Sequence, residues 1–156
     1  MEKKILVAVD DSENAMRAVE FIAKSFTPDH RITLFSVILD IPAICDLNSP
    51  SLTPYFSKQK AAFCEVEDQE KILIKNALQK ARELLLKAGF GEKDVTIKME
   101  AKKKGVARGI LDEANSGYDT LVMGRRGLSG IKEFFIGSVS QKVLQSAKTV
   151  SVVMVN

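Results

Sequence analysis

Hydrophobic residues along this chain follow two alternating patterns. Short apolar runs at residues 4–9, 32–39, 120–123 and 150–155 predict buried β-strands, and alternating apolar residues at 95, 97 and 99 predict a further strand. Between the strands, apolar residues recur at helical spacing over residues 15–26, 73–88, 106–114 and 139–147. Five strands that alternate with four helices predict an α/β fold, a single doubly wound parallel sheet with helices on both faces.

Length and composition predict one compact domain over residues 1–156. The chain is 46% hydrophobic and 28% charged, which is typical of a globular protein. No apolar stretch approaches the roughly 20 residues of a membrane helix, and the run after Lys4 is too short for a signal peptide, so we expect a cytoplasmic protein without membrane contact. A net charge of +3 is too small to predict nucleic-acid binding. Cys45 and Cys64 lack CxxC spacing and are expected to be ordinary thiols.

Residues 40–57 interrupt the alternation of strands and helices. Three of the four prolines, Pro42, Pro50 and Pro54, fall in this stretch. It predicts a loop insertion rather than a linker, because no second domain follows. Its apolar residues predict packing, either on the same domain, which is the more usual case, or on a partner surface.

The glycines near the C-terminus suggest a phosphate site. Gly124 and Gly127 follow the strand at 120–123, and Gly137 and Ser138 open the last predicted helix, with Ser140 in its first turn. In such strand-to-helix geometry, backbone N–H groups converge on an anion. The spacing matches neither the P-loop nor the dinucleotide-binding fingerprint. The glycines alone would favour an ordinary turn and helix start, but the serine hydroxyls, the neighbouring arginines and the preceding strand favour an anionic ligand.

This spacing, Gly124-x-x-Gly127, nine residues, then Gly137-Ser138, resembles the nucleotide-binding signature of the universal stress protein family. The segments 5–12 and 119–124 extend the resemblance, which covers nearly the whole chain except roughly residues 40–69. The family fold implies the strand order 3-2-1-4-5. In doubly wound sheets, ligands bind where the strand order reverses, here between the first and fourth strands.

The resemblance also implies a ligand and its contacts. The ligand would be ATP, or AMP or ADP, with Mg²⁺. The base would contact Ala8, Val9, Asp10, Val37 and Met123. The triphosphate would lie along Gly124, Arg126, Gly127, Gly137, Ser138, Val139 and Ser140. Asp10 is a candidate contact for Mg²⁺ or the ribose, or it only orients the first loop. Asp11 departs from the family pattern, and a second carboxylate there would oppose phosphate binding.

Three functions remain compatible with these residues. The first is a regulatory stress-response module that binds ATP with no or very slow hydrolysis, the second is an ATPase or phosphotransferase, and the third is a nucleotide-free dimerisation scaffold. The intact glycine-serine motif disfavours the scaffold. No Ser-His or Asp-His pair accompanies the motif, which disfavours the enzyme.

The last strand predicts a homodimer. It runs from Val150 to Val155 without charge or proline, and the family order places it at a sheet edge. Exposed edges of this kind invite another strand. The resemblance implies the same contact, because family members commonly pair through this strand.

Overall fold

The computed structural model describes residues 2–10, 12–38, 54–101, 104–125 and 137–156. The strands in these ranges are β1 (Lys4–Ala8), β2 (Arg31–Ile38), β3 (Val95–Ala101), β4 (Thr120–Gly124) and β5 (Ser151–Val155). The helices are α1 (Glu13–Ser25), α2 (Pro54–Lys87), α3 (Val106–Ala114) and α4 (Ser138–Ser146). Strands and helices alternate along the chain as the sequence predicts.

The five strands form one parallel sheet in the order β3-β2-β1-β4-β5. Val7 in β1 pairs with Leu34 in β2 on one side and with Val122 in β4 on the other. The order reverses between β1 and β4, because β2 and β3 extend the sheet one way and β4 and β5 the other. This topology confirms the predicted fold class.

Helices cover both faces of the sheet, which explains why β1 is a continuous apolar run. Ile5 and Val7 belong to the core beneath α1 and α2, whereas Leu6 belongs to the core beneath α3 and α4. All three side chains are completely buried. Ser12 is the N-cap of α1, and its hydroxyl accepts a hydrogen bond from the Ala15 N–H at 3.2 Å.

Helix α2 is much longer than the helix predicted over residues 73–88. It begins at Pro54, so the end of the loop predicted over residues 40–57 is helical, and residues 39–53 lie outside the described ranges. Its buried positions are Ile74, Leu78, Ala81 and Leu85. Leu73 was predicted on this face but is 53% exposed. Successive side chains point about 100° apart around a helix, so with Ile74 facing the core, the neighbouring Leu73 faces away from it. Leu144 in α4 is likewise exposed rather than buried.

Two further findings bear on the sequence predictions. Cys64, in α2, is disulfide-bonded, so the prediction of an ordinary thiol there is wrong. Among the residues that the structure describes, no helix combines the length and apolarity that a membrane span requires.

Candidate functional site

A cleft of about 340 Å³ opens at the carboxyl edge of the sheet, where the strand order reverses. This volume lies within the range of small-molecule sites. Nine of the predicted site residues line it. They are Ala8, Val9, Asp10, Val37, Gly124, Gly137, Ser138, Val139 and Ser140. The first four come from the ends of β1 and β2, and the others from the end of β4 and the start of α4.

The other three predicted residues are placed differently. Met123 does not line the cleft; it is buried in the core beneath α3 and α4. Arg126 and Gly127 lie outside the described residues. The roles assigned to all the predicted residues as ligand contacts stay predictions.

Asp10 and Ser12 form a tight turn between β1 and α1. The Asp10 Oδ1 atom accepts hydrogen bonds from the Ser12 N–H, at 2.9 Å, and from the Ser12 hydroxyl. Asp10 therefore does orient the first loop. Its other carboxylate oxygen has no hydrogen-bond partner among the described residues, so it can still accept a bond from a ligand in the cleft. Asp11, which departs from the family pattern, is not among the residues that the structure describes.

The start of α4 presents backbone donors to the cleft. Gly137 is the N-cap, with no side-chain cap, and its carbonyl accepts the first helical hydrogen bond from the Gln141 N–H at 2.9 Å. The N–H groups of Ser138, Val139 and Ser140 precede that bond and so lack intrahelical acceptors. They also lie at the positive end of the helix dipole. This helix start can hold an anion.

The two serines at this helix start have different roles. The Ser140 hydroxyl is buried and donates to the Gly124 carbonyl at 3.0 Å, which ties α4 to the end of β4. Since a hydroxyl has one proton, Ser140 in this rotamer can donate to a phosphate only through its backbone N–H. The Ser138 side chain is exposed and has no partner among the described residues. Ser138 is therefore the hydroxyl available to a ligand.

Two glycines leave room for neighbouring residues around the cleft. A Cβ on Gly124 would lie 2.9 Å from the backbone C and O of Asn14, so α1 could not pack as closely. A Cβ on Gly109, in α3, would lie 2.9 Å from Cγ2 of Val37. Gly109 thus creates the space that Val37 occupies beside the cleft. In the sequence, the indication of this close contact was the presence of a glycine inside the helix predicted over residues 106–114.

Sequence reasoning missed eight residues that line the cleft. They are Ser12, Ala15, Phe35, Ser36, Glu70, Ile74, Val106 and Ile110. Glu70 and Ile74 come from α2, and Glu70 falls in the part of α2 that was not predicted as helix. Ser36 could have been predicted, because it directly precedes the predicted site residue Val37 near the carboxyl end of β2.

Among the described residues, the carboxylates that line the cleft are those of Asp10 and Glu70. The described residues contain no group of three or more potential metal-binding side chains. Mg²⁺ is usually held by one or two carboxylates together with the phosphates of the ligand. Asp10 and Glu70, in the same cleft as the free N–H groups of the α4 start, could form part of such an arrangement.

Comparison with known proteins identifies the family. The model of the universal stress protein family matches residues 1–156. The chain belongs to the universal stress protein family. The resemblance seen in the sequence is thereby confirmed, and with it a place among stress-response proteins.

Three individual universal stress proteins are similar to this chain along nearly their whole length. The universal stress protein YxiE of Bacillus subtilis (strain 168) is 30% identical over 153 residues, which cover 93% of each chain. The structure of UspA from Lactobacillus plantarum has a TM-score of 0.69 at 20% identity and covers 99% of this chain and 97% of that one. A universal stress protein solved in complex with cAMP has a TM-score of 0.63 at 18% identity, with 99% and 96% covered. The two solved structures show a shared fold.

Proposed function

We propose that this universal stress protein binds an adenine nucleotide, ATP or its products ADP and AMP, in the cleft at the carboxyl edge of the sheet. The observation that carries the proposal is the start of α4. Ser138, Val139 and Ser140, whose N–H groups have no intrahelical acceptors, line the cleft there together with residues at the ends of β1 and β4. A phosphate chain would satisfy these donors and interact favourably with the helix dipole.

Apolar residues in the lining of the cleft suit a nucleoside. Val9, Val37 and Ile110 contribute apolar surface, against which the flat base would pack. The second carboxylate oxygen of Asp10 would accept a hydrogen bond from a ribose hydroxyl. The universal stress protein that was solved with cAMP supports an adenine nucleotide as the ligand class, since cAMP is itself one.

Mg²⁺ belongs to this proposal because of the charges in the cleft. Phosphates beside Asp10 and Glu70 would be repelled unless a cation lies between them. Mg²⁺ held by these carboxylates and the phosphates would neutralise that charge. We therefore expect affinity for ATP to be higher with Mg²⁺ than without it.

The role proposed for the bound nucleotide is regulatory, with no or very slow hydrolysis. His30, the single histidine of the chain, lies in the turn before β2, at the amino ends of the strands, whereas the cleft lies at their carboxyl ends. The Ser12 hydroxyl in the cleft caps α1 and bonds to Asp10. Neither side chain is placed as the base or nucleophile that phosphoryl transfer requires. A cytoplasmic location, expected from the sequence, is part of the same proposal.

Calorimetry with ATP and Mg²⁺ tests the proposed site. The variant is Gly137→Val, because the φ of −57° at this position is accessible to any residue, so the backbone need not change. A branched side chain beside the donors should lower affinity by at least about tenfold, equal to about 1.4 kcal/mol of binding free energy. Ser146→Val, at the other end of α4, is the matched control and should bind as the wild type does. Equal affinity in wild type and Gly137→Val, or no binding by the wild type, would contradict the assignment.

A further inference from the structure

A second cavity lies between α3 and α4, on the face of the sheet away from α1 and α2. It measures about 830 Å³ and begins beside the cleft, since Ser138 and Val139 line both. From there it extends to Lys148, beyond the end of α4. We call it the α3–α4 groove. Of the residues that line it, the nucleotide-binding proposal uses only Ser138 and Val139.

Helices α3 and α4 form the two walls of the groove. Arg108 and Asp112 lie four residues apart on α3, Ser138 and Lys142 lie four residues apart on α4, and Lys104 precedes α3. Residues at this spacing lie on one face of a helix. Each helix therefore presents polar side chains to the groove from one of its faces.

The groove is positively charged. It is lined by four exposed cations, Lys104, Arg108, Lys142 and Lys148. Asp112 is the one carboxylate among the described residues that line it. Within the described ranges none of the four cations forms an ion pair, whereas Arg17, Arg31 and Lys98 elsewhere do. The whole chain carries only +3, so positive charge is concentrated at this groove. A cleft lined by one sign of charge attracts partners of the opposite sign.

The floor of the groove is apolar. It is formed by the half-buried side chains of Val106 and Val139, with Ala107 and Leu111, which are 7% and 8% exposed, beneath them. Asn115 and Gln145 add amide groups that can hydrogen-bond to a peptide backbone. A nucleic acid or polyphosphate would gain little from the apolar floor. A polypeptide with both acidic and apolar side chains could pair with the cations of the two walls, which we call the rims, and also pack on the floor.

We propose that the α3–α4 groove binds an acidic, partly apolar segment of a partner protein. The nine residues of α3 span about 14 Å at 1.5 Å per residue, enough for about four residues of an extended peptide. Its acidic side chains would pair with Arg108 and Lys142 on the two rims, and its apolar side chains would cover Leu111. The proposal does not depend on nucleotide binding.

Fluorescence anisotropy with the full chain tests this interaction. The probe is a labelled synthetic peptide in which glutamate and leucine alternate, and the matched peptide has lysine in place of glutamate. We expect saturable binding of the acidic peptide that weakens as salt is added, and no binding of the lysine peptide. Absence of binding by the acidic peptide at millimolar concentration, or equal binding of both peptides, would overturn the proposal.

Charge-reversal variants locate the binding. The double variant Arg108→Glu with Lys142→Glu should bind the acidic peptide at least about tenfold more weakly, because like charges would then line both rims. Lys80→Glu, at an exposed position of α2 on the other face of the sheet, is the control and should bind normally. An unchanged double variant, or an equal loss in Lys80→Glu, would overturn the proposal. So would a single-stranded oligonucleotide that displaces the peptide more effectively than unlabelled peptide does, since the groove would then be a nucleic-acid site.

Discussion

Gly124 illustrates how one residue can serve packing as well as a ligand. In the sequence it is the first glycine of a nucleotide-binding signature, and it does line the cleft. The structure adds a second reason for glycine, since a Cβ would meet the Asn14 backbone at 2.9 Å. That contact joins residues 110 positions apart, and no local pattern in the sequence indicates it.

Gly124→Ala should therefore destabilise the fold. A backbone neighbour cannot rotate aside, so α1 must shift, and overpacking of this kind costs about 1–3 kcal/mol. Urea denaturation of wild type and variant measures the change. Ser146→Ala, at an exposed position of α4, serves as the control with little expected effect. An unchanged free energy of unfolding in Gly124→Ala would show that α1 does not pack as described.

Other residue roles at the site divide between predictable and unpredictable. The helix start at Gly137 could be predicted, because glycine and serines after a strand are a local signal. It could not be predicted that the Ser140 hydroxyl is unavailable as a donor to the ligand, because this hydroxyl donates to the carbonyl of Gly124, which is remote in sequence. Met123 was placed at the ligand by resemblance, yet it packs into the core.

At the scale of elements, the strands were the most predictable features. β1 and β4 are buried on both faces and so appear as unbroken apolar runs. Helix α2 was less predictable because, among the side chains that the structure describes in its first half, most are exposed. Pro54 was interpreted as part of a loop, although proline is well suited to the first turn of a helix, where its missing N–H costs little.

A buried carboxylate links β3, α3 and the segment before β4. Glu113 in α3 accepts hydrogen bonds from the Lys98 ammonium, at 2.6 Å, and from the Tyr118 hydroxyl, at 2.9 Å. The hydrogen bond to Glu113 raises the pKa of Lys98, and burial raises the pKa of Tyr118. Both groups therefore hold their protons more tightly in the folded chain than in the unfolded chain.

This cluster predicts a loss of stability in alkaline solution. When the folded-state pKa is the higher one, the stabilisation is complete below the unfolded-state pKa and is lost as pH rises through the folded-state value. For Tyr118 and Lys98 the loss begins at about pH 10. Thermal unfolding between pH 8 and pH 11 measures it, and Tyr118→Phe should reduce the slope. A melting temperature that stays constant over this range in the wild type would contradict the prediction.

At the scale of the whole molecule, the two edges of the sheet differ. β3 carries Lys98 and Glu100, charges that discourage pairing with another strand. β5 carries neither charge nor proline, and its apolar residues are only partly buried. The strand order 3-2-1-4-5, which was implied by family resemblance and is confirmed here, is what places β5 at the edge.

We therefore propose a homodimer through β5, with the two copies of the strand related by a two-fold axis. Light scattering after size exclusion should give twice the chain mass of 17.2 kDa. Val153→Lys should shift the protein toward monomer, because the charge would have to be buried in the interface. Ile97→Lys on β3 makes the same change at the other edge and should leave the dimer intact. A wild type that is monomeric at every concentration would exclude this assembly.

The most direct test of nucleotide binding is residue-resolved NMR of the full chain during titration with ATP and Mg²⁺. The account predicts that the amide signals of Gly137, Ser138, Val139 and Ser140 shift together as the ligand saturates, along with those of Val9 and Val37 in the cleft. Signals from the far end of the α3–α4 groove, such as Lys148, should stay in place. Shifts confined to the groove, or no shifts at all at millimolar ATP, would contradict a nucleotide site in this cleft.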